Sequence, residues 1–185
     1  LTNPQTLALK INGSTSINNG CSPYMLLNVD SLGFAANVSG NLTLTLGGGG
    51  AGQFYSDYAC TTTITTATIN AGLSFIVVYY KNLTVQSILM AVDAPTYATA
   101  FLPVNVSAGA TSSTATRLVL VGAPNIQTDA CAAFSVMTAD SSGSIKAATA
   151  NASVNLAGSG SGLFYSDSSC VTSTTAVTIT SGTSL

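Results

Sequence analysis

The sequence predicts an all-β protein made of two tandem β-sandwich domains, the second lacking its C-terminal strands. Three observations predict it. Short runs alternate apolar and polar residues between glycine turns, a long motif recurs 110 positions later, and each copy carries one cysteine pair at the same spacing. No stretch shows helical periodicity over eleven or more residues, whereas strands about ten residues apart, with turn signals between them, are the pattern of a sandwich or barrel.

The strands follow in order. Leu7, Leu9 and Ile11 alternate with Ala8 and Lys10 and mark the first. Tyr24 to Val29 makes the second, closed by the turn Asp30-Ser31-Leu32-Gly33. Leu42, Leu44 and Leu46 alternate with Thr43 and Thr45, a period of two with one face buried. The flexible loop Gly47 to Gly52 leads into a strand at Phe54-Tyr55. Thr63 to Ile69 follows, with a turn at Asn70-Ala71-Gly72. Ser74 to Lys81 and Ser87 to Val92 are rich in β-branched and aromatic residues, which favour strands. Tyr97 to Val106 is the last, and Pro103 within it predicts an edge position, since proline cannot donate to a ladder.

Phe54-Tyr55-Ser56-Asp57 recurs as Phe164-Tyr165-Ser166-Asp167, and the same offset carries Cys21 to Cys131, Cys60 to Cys170, Asp30 to Asp140, Gly33 to Gly143 and Gly72 to Gly182. Between the cysteines 14 of 40 positions are identical without a gap, more than shared composition produces. A unit of this length fits an immunoglobulin-like sandwich, which runs to roughly 100 residues and seven strands. The expected domains are 1–109 and 110–185. The second opens near Ala110, takes Leu118, Leu120 and Gly122 as its first strand, and aligns Leu120 with Lys10. Leu185 aligns with Phe75, so the counterparts of Ile76 to Gly109 are missing. The chain is expected to be a segment of a longer protein. The alternative is a neighbouring subunit that donates the missing strands by β-augmentation.

Cys21 with Cys60 and Cys131 with Cys170 are expected to form one disulfide per domain. Metal sites want Cys or His at short spacing, and this chain has no His. Pairing across the repeats would break the repeat symmetry. Disulfides imply an oxidising compartment: periplasm, cell surface or medium.

Catalytic chemistry finds little support. With no Glu and no His, the usual general bases reduce to six aspartates. No catalytic, cofactor-binding or metal-ligating residue is assigned. Asp30 and Asp140 fit turns in which Asp bonds its own backbone, and one carboxylate per turn is too few for calcium. Asp57 and Asp167 fit an Asx-type turn that sets the following cysteine. The loop Gly47 to Gly52, like its counterpart Ala157 to Gly162, lacks the Lys and the helix of a phosphate-binding loop. An isopeptide crosslink from Lys10 or Lys81 would be confined to the first repeat. Six Asn-x-Ser/Thr sequons, at Asn12, Asn37, Asn41, Asn82, Asn105 and Asn151, are candidate glycosylation acceptors, and Asn41 and Asn151 occupy equivalent positions.

A net charge of −2 gives no basic field for nucleic acid. The longest apolar stretch, Phe75 to Tyr80, is strand-sized, well short of the roughly 20 residues of a membrane-spanning helix. The chain begins with Leu1 and shows no signal peptide, as a mature or excised segment would.

The order Cys, Asp-x-x-Gly, Gly-x-Phe-Tyr-Ser-Asp-x-x-Cys, Thr-x-Ile-x-x-Gly, followed in the first repeat by Val78-Tyr79-Tyr80-Lys81, resembles the bacterial immunoglobulin-like (Big-type) tandem repeats of secreted and cell-surface proteins. The resemblance implies a β-sandwich, surface display and a structural or adhesive role as a stalk, fibre or adhesin segment, with no catalytic residues. Its partners would be neighbouring repeats or subunits, or a cell-surface or glycan ligand. Two other functions compete: a filament subunit assembled by strand donation between neighbouring chains, and a carbohydrate-binding accessory module. The last would want exposed aromatics; Trp is absent, and Tyr58 and Tyr97 stand isolated.

Overall fold

The computed structural model describes residues 8–109, 113–158 and 160–185. Leu7 of the first expected strand and the expected boundary at Ala110 lie outside the described residues, as does Ser159 within the second glycine-rich loop. The described residues contain no helix.

Ten strands fill the first half: β1 (Ala8–Gly13), β2 (Ser16–Ile17), β3 (Ser22–Val29), β4 (Leu42–Gly47), β5 (Gln53–Tyr55), β6 (Thr63–Ile64), β7 (Thr66–Ile69), β8 (Phe75–Lys81), β9 (Gln86–Asp93) and β10 (Ala100–Val106). They form two five-stranded sheets, β1-β3-β8-β5-β6 and β2-β10-β9-β4-β7. Every pairing is antiparallel except the short one between β10 and β2. The sheets close over Leu9, Ile11, Tyr24, Leu26, Leu44, Ile69, Val78, Tyr80, Met90 and Val104, all buried. These are the alternate residues of each strand, as the period of two demands. Tyr80 fills the centre, edge-on to Tyr24 and tilted against Phe54.

Three local readings are corrected. The run Thr63 to Ile69 is not one strand: it breaks at Thr65, so β6 joins the first sheet and β7 the second. A run rich in threonine carries no signal for a change of sheet. The last strand starts at Ala100, because Tyr97 N–H bonds the Ala94 carbonyl and keeps that stretch in a turn. The two-residue strand β2 is too short to show periodicity. Pro103 does lie at an edge, since β2 pairs β10 only at Asn105 and Val106.

The glycine-rich loop packs down on its own sandwich. Gly48 has φ +68°, and a Cβ there would come within 1.9 Å of the Leu89 carbonyl oxygen. At Gly158, its counterpart, nothing lies within 4 Å.

The second half contains β11 (Arg117–Gly122), β12 (Phe134–Ala139), β13 (Ala152–Asn155), β14 (Phe164–Tyr165), β15 (Ser173–Thr174) and β16 (Ala176–Ile179). They pair β11-β12, β13-β16 and β14-β15, which copies β1-β3, β4-β7 and β5-β6. No counterpart of β8, β9 or β10 occurs among the described residues. A small core of Ala148, Val154 and Ile179, with Val136 against it, joins β12 to the β13-β16 pair.

The gapless register also needs one correction. Lys10 stands opposite Leu27, and Val119 stands opposite Met137, the equivalent of Leu27. The counterpart of Lys10 is therefore Val119, not Leu120. The connection from Gly122 to Cys131 holds one residue more than that from Gly13 to Cys21, which shifts the whole first strand by one. A one-residue slip exchanges the two faces of a strand. Leu118 and Leu120 thus take the places of Leu9 and Ile11. The latter are 8% and 6% exposed; the former are 51% and 64% exposed, because among the described residues no second sheet covers them.

Candidate functional site

Among the described residues no three His, Cys, Asp or Glu side chains are grouped so that they could hold a metal ion. The features with organised chemistry are two cysteine turns and the seam between the repeats.

Each cysteine turn is built the same way. Cys21, immediately before β3, is bonded to Cys60, and Cys131 to Cys170. Cys60 and Cys170 both adopt φ 53°, a left-handed conformation that costs energy for a residue with a Cβ. The preceding aspartate holds it. Asp57 accepts N–H bonds from Ala59, Thr61 and Thr62 through its side chain, and its carbonyl accepts one from Cys60. Asp167 repeats the arrangement with Ser169, Val171, Thr172 and Cys170. The motif Phe-Tyr-Ser-Asp-x-x-Cys therefore encodes a turn that aims a cysteine at the first sheet.

The turns at Asp30 and Asp140 are a second matched pair. Asp30 Oδ1 accepts from Leu32 and Phe34 N–H groups, and Asp140 Oδ1 from those of Ser142 and Ser144. Gly33 and Gly143 follow at φ +84° and +90°, which is why glycine stands there.

At Asp57, Asp167 and Asp140 the bonds favour the charged carboxylate. Partial burial works against the Asp57 charge, but N–H groups of Thr62 and Thr61 outweigh it and hold the carboxyl below its usual range. Thr172 and Val171 N–H groups do the same for Asp167. Burial likewise opposes the Asp140 charge, and the Ser142 hydroxyl, the Ser144 and Ser142 N–H groups and nearby Lys146 overcome it. A depressed folded-state pKa contributes stability that is present above the unfolded value and lost as pH falls through the folded one. The expected thermal midpoint is flat above about pH 5 and drops below about pH 4, the ordinary aspartate range. Asp57→Asn and Asp167→Asn should flatten that drop, as thermal unfolding followed between about pH 2 and 6 would show.

The seam was not legible in the strand pattern. All eight residues of β3 are buried, although a strand in one sandwich should bury alternate ones. The inward set, Tyr24 and Leu26, belongs to the first core. The outward set, Met25, Leu27 and Val29, joins Tyr79 in a second cluster with Val121, Ala123, Met137, Ala139 and Ile145. The outer face of the first sheet thus packs against the second half of the chain. Polar contacts border it. Asn18 Oδ1 accepts from Gly20 N–H at 3.0 Å and from the Ser144 hydroxyl at 2.9 Å. Ile145 N–H bonds the Cys21 carbonyl at 2.9 Å, Asn12 donates to the Gly122 carbonyl, and the Tyr79 hydroxyl points at Met137 sulfur, 3.8 Å away. Gly20 sits so tightly that a Cβ on it would lie 1.6 Å from Ser144 Oγ and 2.3 Å from Ser144 Cβ. The signal available in the sequence was the unbroken apolar run Tyr24 to Leu27, which an alternating strand does not need.

The remaining candidates scatter. Of the sequons, Asn37, Asn41, Asn105 and Asn151 are exposed, Asn12 is half-buried at the seam, and Asn82 is buried with its amide donating to the Tyr80 hydroxyl. Asn41 and Asn151 accept N–H bonds from Ala71 and Ser181, equivalent positions. Tyr58 packs into the seam cluster and Tyr97 against the first core, so they form no shared platform. Lys10 and Lys81 lie on β1 and β8, separated by β3. No helix of the described residues is long and apolar enough to cross a membrane.

No family model matches the chain, and no curated protein does. Similar solved structures include domains 5–6 of the S-layer protein SbsC, 16% identical with a TM-score of 0.45, over 97% of this chain and 85% of that one. Another is the CARDB domain of PF1109 from Pyrococcus furiosus, 10% identical with a TM-score of 0.36, over 55% of this chain and 94% of that one.

Proposed function

We propose that the chain is a non-enzymatic structural segment, a stalk or fibre repeat, of an extracellular surface protein, built from Big-type immunoglobulin-like repeats at 1–109 and 110–185. The seam carries this reading. Two sandwiches joined only by a linker would move independently, whereas a largely apolar contact with a buried centre fixes their relation. A disulfide in each repeat limits how far it extends under load. Antibody labelling of intact cells that make the protein tests the reading: labelling at the surface is expected, and signal only after lysis would sink it. In a host with the machinery, peptide mapping should find glycan at Asn41 and Asn151 and none at buried Asn82.

A second reading has its own observation. Leu118, Leu120 and Phe134 form an exposed apolar face, and among the described residues no strand pairs with β12 where β8 pairs with β3. Exposed apolar sheet faces with open edges invite further strands. A filament subunit completed by strands of a neighbouring chain would satisfy both. Light scattering and electron microscopy of the purified chain separate the readings, since filaments are expected only from the second.

A further inference from the structure

The seam joins equivalent surfaces. Leu27 and its counterpart Met137, Val29 and Ala139, and Ala35 and Ile145 all belong to the one cluster. On β1 and β11, Asn12 reaches the carbonyl of Gly122, the residue next to its own counterpart Val121. The outer face of one repeat's first sheet is therefore laid largely on the same face of the other, with Cys21 and Cys60 inside the cluster and Cys131 exposed outside it. Repeats in a head-to-tail array expose two different surfaces, and such contacts run on into a filament unless their rotation closes a ring. When a face meets its own copy, the contact closes after two members.

We infer that this face is a self-complementary pairing surface whose partner is a second copy of itself. Within the chain the second repeat occupies it. A first repeat deprived of that partner takes the equivalent face of a second chain. An array built on this contact advances two repeats at a time. The inference goes beyond the stalk reading and holds for a filament subunit as well.

The test is Met137→Asp in the full chain, read by light scattering coupled to size exclusion. Met137 and Leu27 point away from their own sandwich cores, so a carboxylate there opposes the seam before it opposes the fold. The expected result is a particle roughly twice the wild-type mass, with Met25, Leu27 and Tyr79 of two chains facing each other. Adding Leu27→Asp should return the mass to the wild-type value. Should Met137→Asp unfold the second repeat, Val121→Asp, on the outer face of β11, repeats the experiment at another strand. The inference is overturned if both single variants keep the wild-type mass with an intact tyrosine near-ultraviolet signal, or if the larger particle persists after Leu27→Asp.

Discussion

Removing the Cys21–Cys60 disulfide, by Cys21→Ser with Cys60→Ser, should lower the stability of the first sandwich by about 4 kcal/mol. The bond closes a loop across a sequence separation of 39, and the chain-entropy estimate for a loop of about that length is ~4 kcal/mol. The location adds to the effect. Cys21 immediately precedes β3, the strand shared by the first core and the seam, so loosening it disturbs both clusters. The equivalent change at Cys131 and Cys170 should matter less to the first sandwich, whose core includes neither residue. Denaturant unfolding of the two variants measures this, and equal losses in the first transition would contradict it. Exposure separates the bonds again. Cys21 and Cys60 are buried, while Cys131 is exposed and Cys170 half-buried. Mild reductant under native conditions should therefore open Cys131–Cys170 first, with alkylation at 131 and 170 preceding that at 21 and 60.

Gly20→Ala should pry the two repeats apart while leaving each folded. The added methyl would meet Ser144 Cβ at 2.3 Å, a clash no rotation of the short serine side chain relieves. Overpacking of this kind costs roughly 1–3 kcal/mol. The strain falls on the seam, because Gly20 and Ser144 come from different repeats. Ser144→Gly on top of Gly20→Ala removes the atoms in the way and should recover most of the loss. It does not recover all, since the hydroxyl bond to Asn18, worth roughly 0.5–1.5 kcal/mol, goes with it. Small-angle scattering should show the radius of gyration rising in the single variant and returning in the double one. A double variant as open as the single one would mean that Gly20 acts elsewhere.

Much of the first sandwich was visible in its residues. Leu42, Leu44 and Leu46 alternate because one face of β4 meets the core and the other meets water. Pro103 announced an edge, and Asp57 with Cys60 announced a turn. The glycines after Asp30 and Asp140 announced positive φ. What escaped was short or depended on partners. The switch of sheet at Thr65 is decided by which neighbour each half of the run bonds. The slip of β11 comes from a single extra residue in a loop, where no pattern marks it.

The sequence by itself determined the all-β class, the duplicated unit, the cysteine spacing and the inward face of most strands. These are properties of local chemistry: a residue's periodicity and turn preference act before any distant contact exists. Only the tertiary structure decided what covers the outward face of β3. Met25 and Leu27 are buried because Met137 and Ile145 lie over them, more than a hundred residues away in the chain. The period of a strand reports that its two faces differ from each other; it cannot report that the second face has been taken out of water by another sheet.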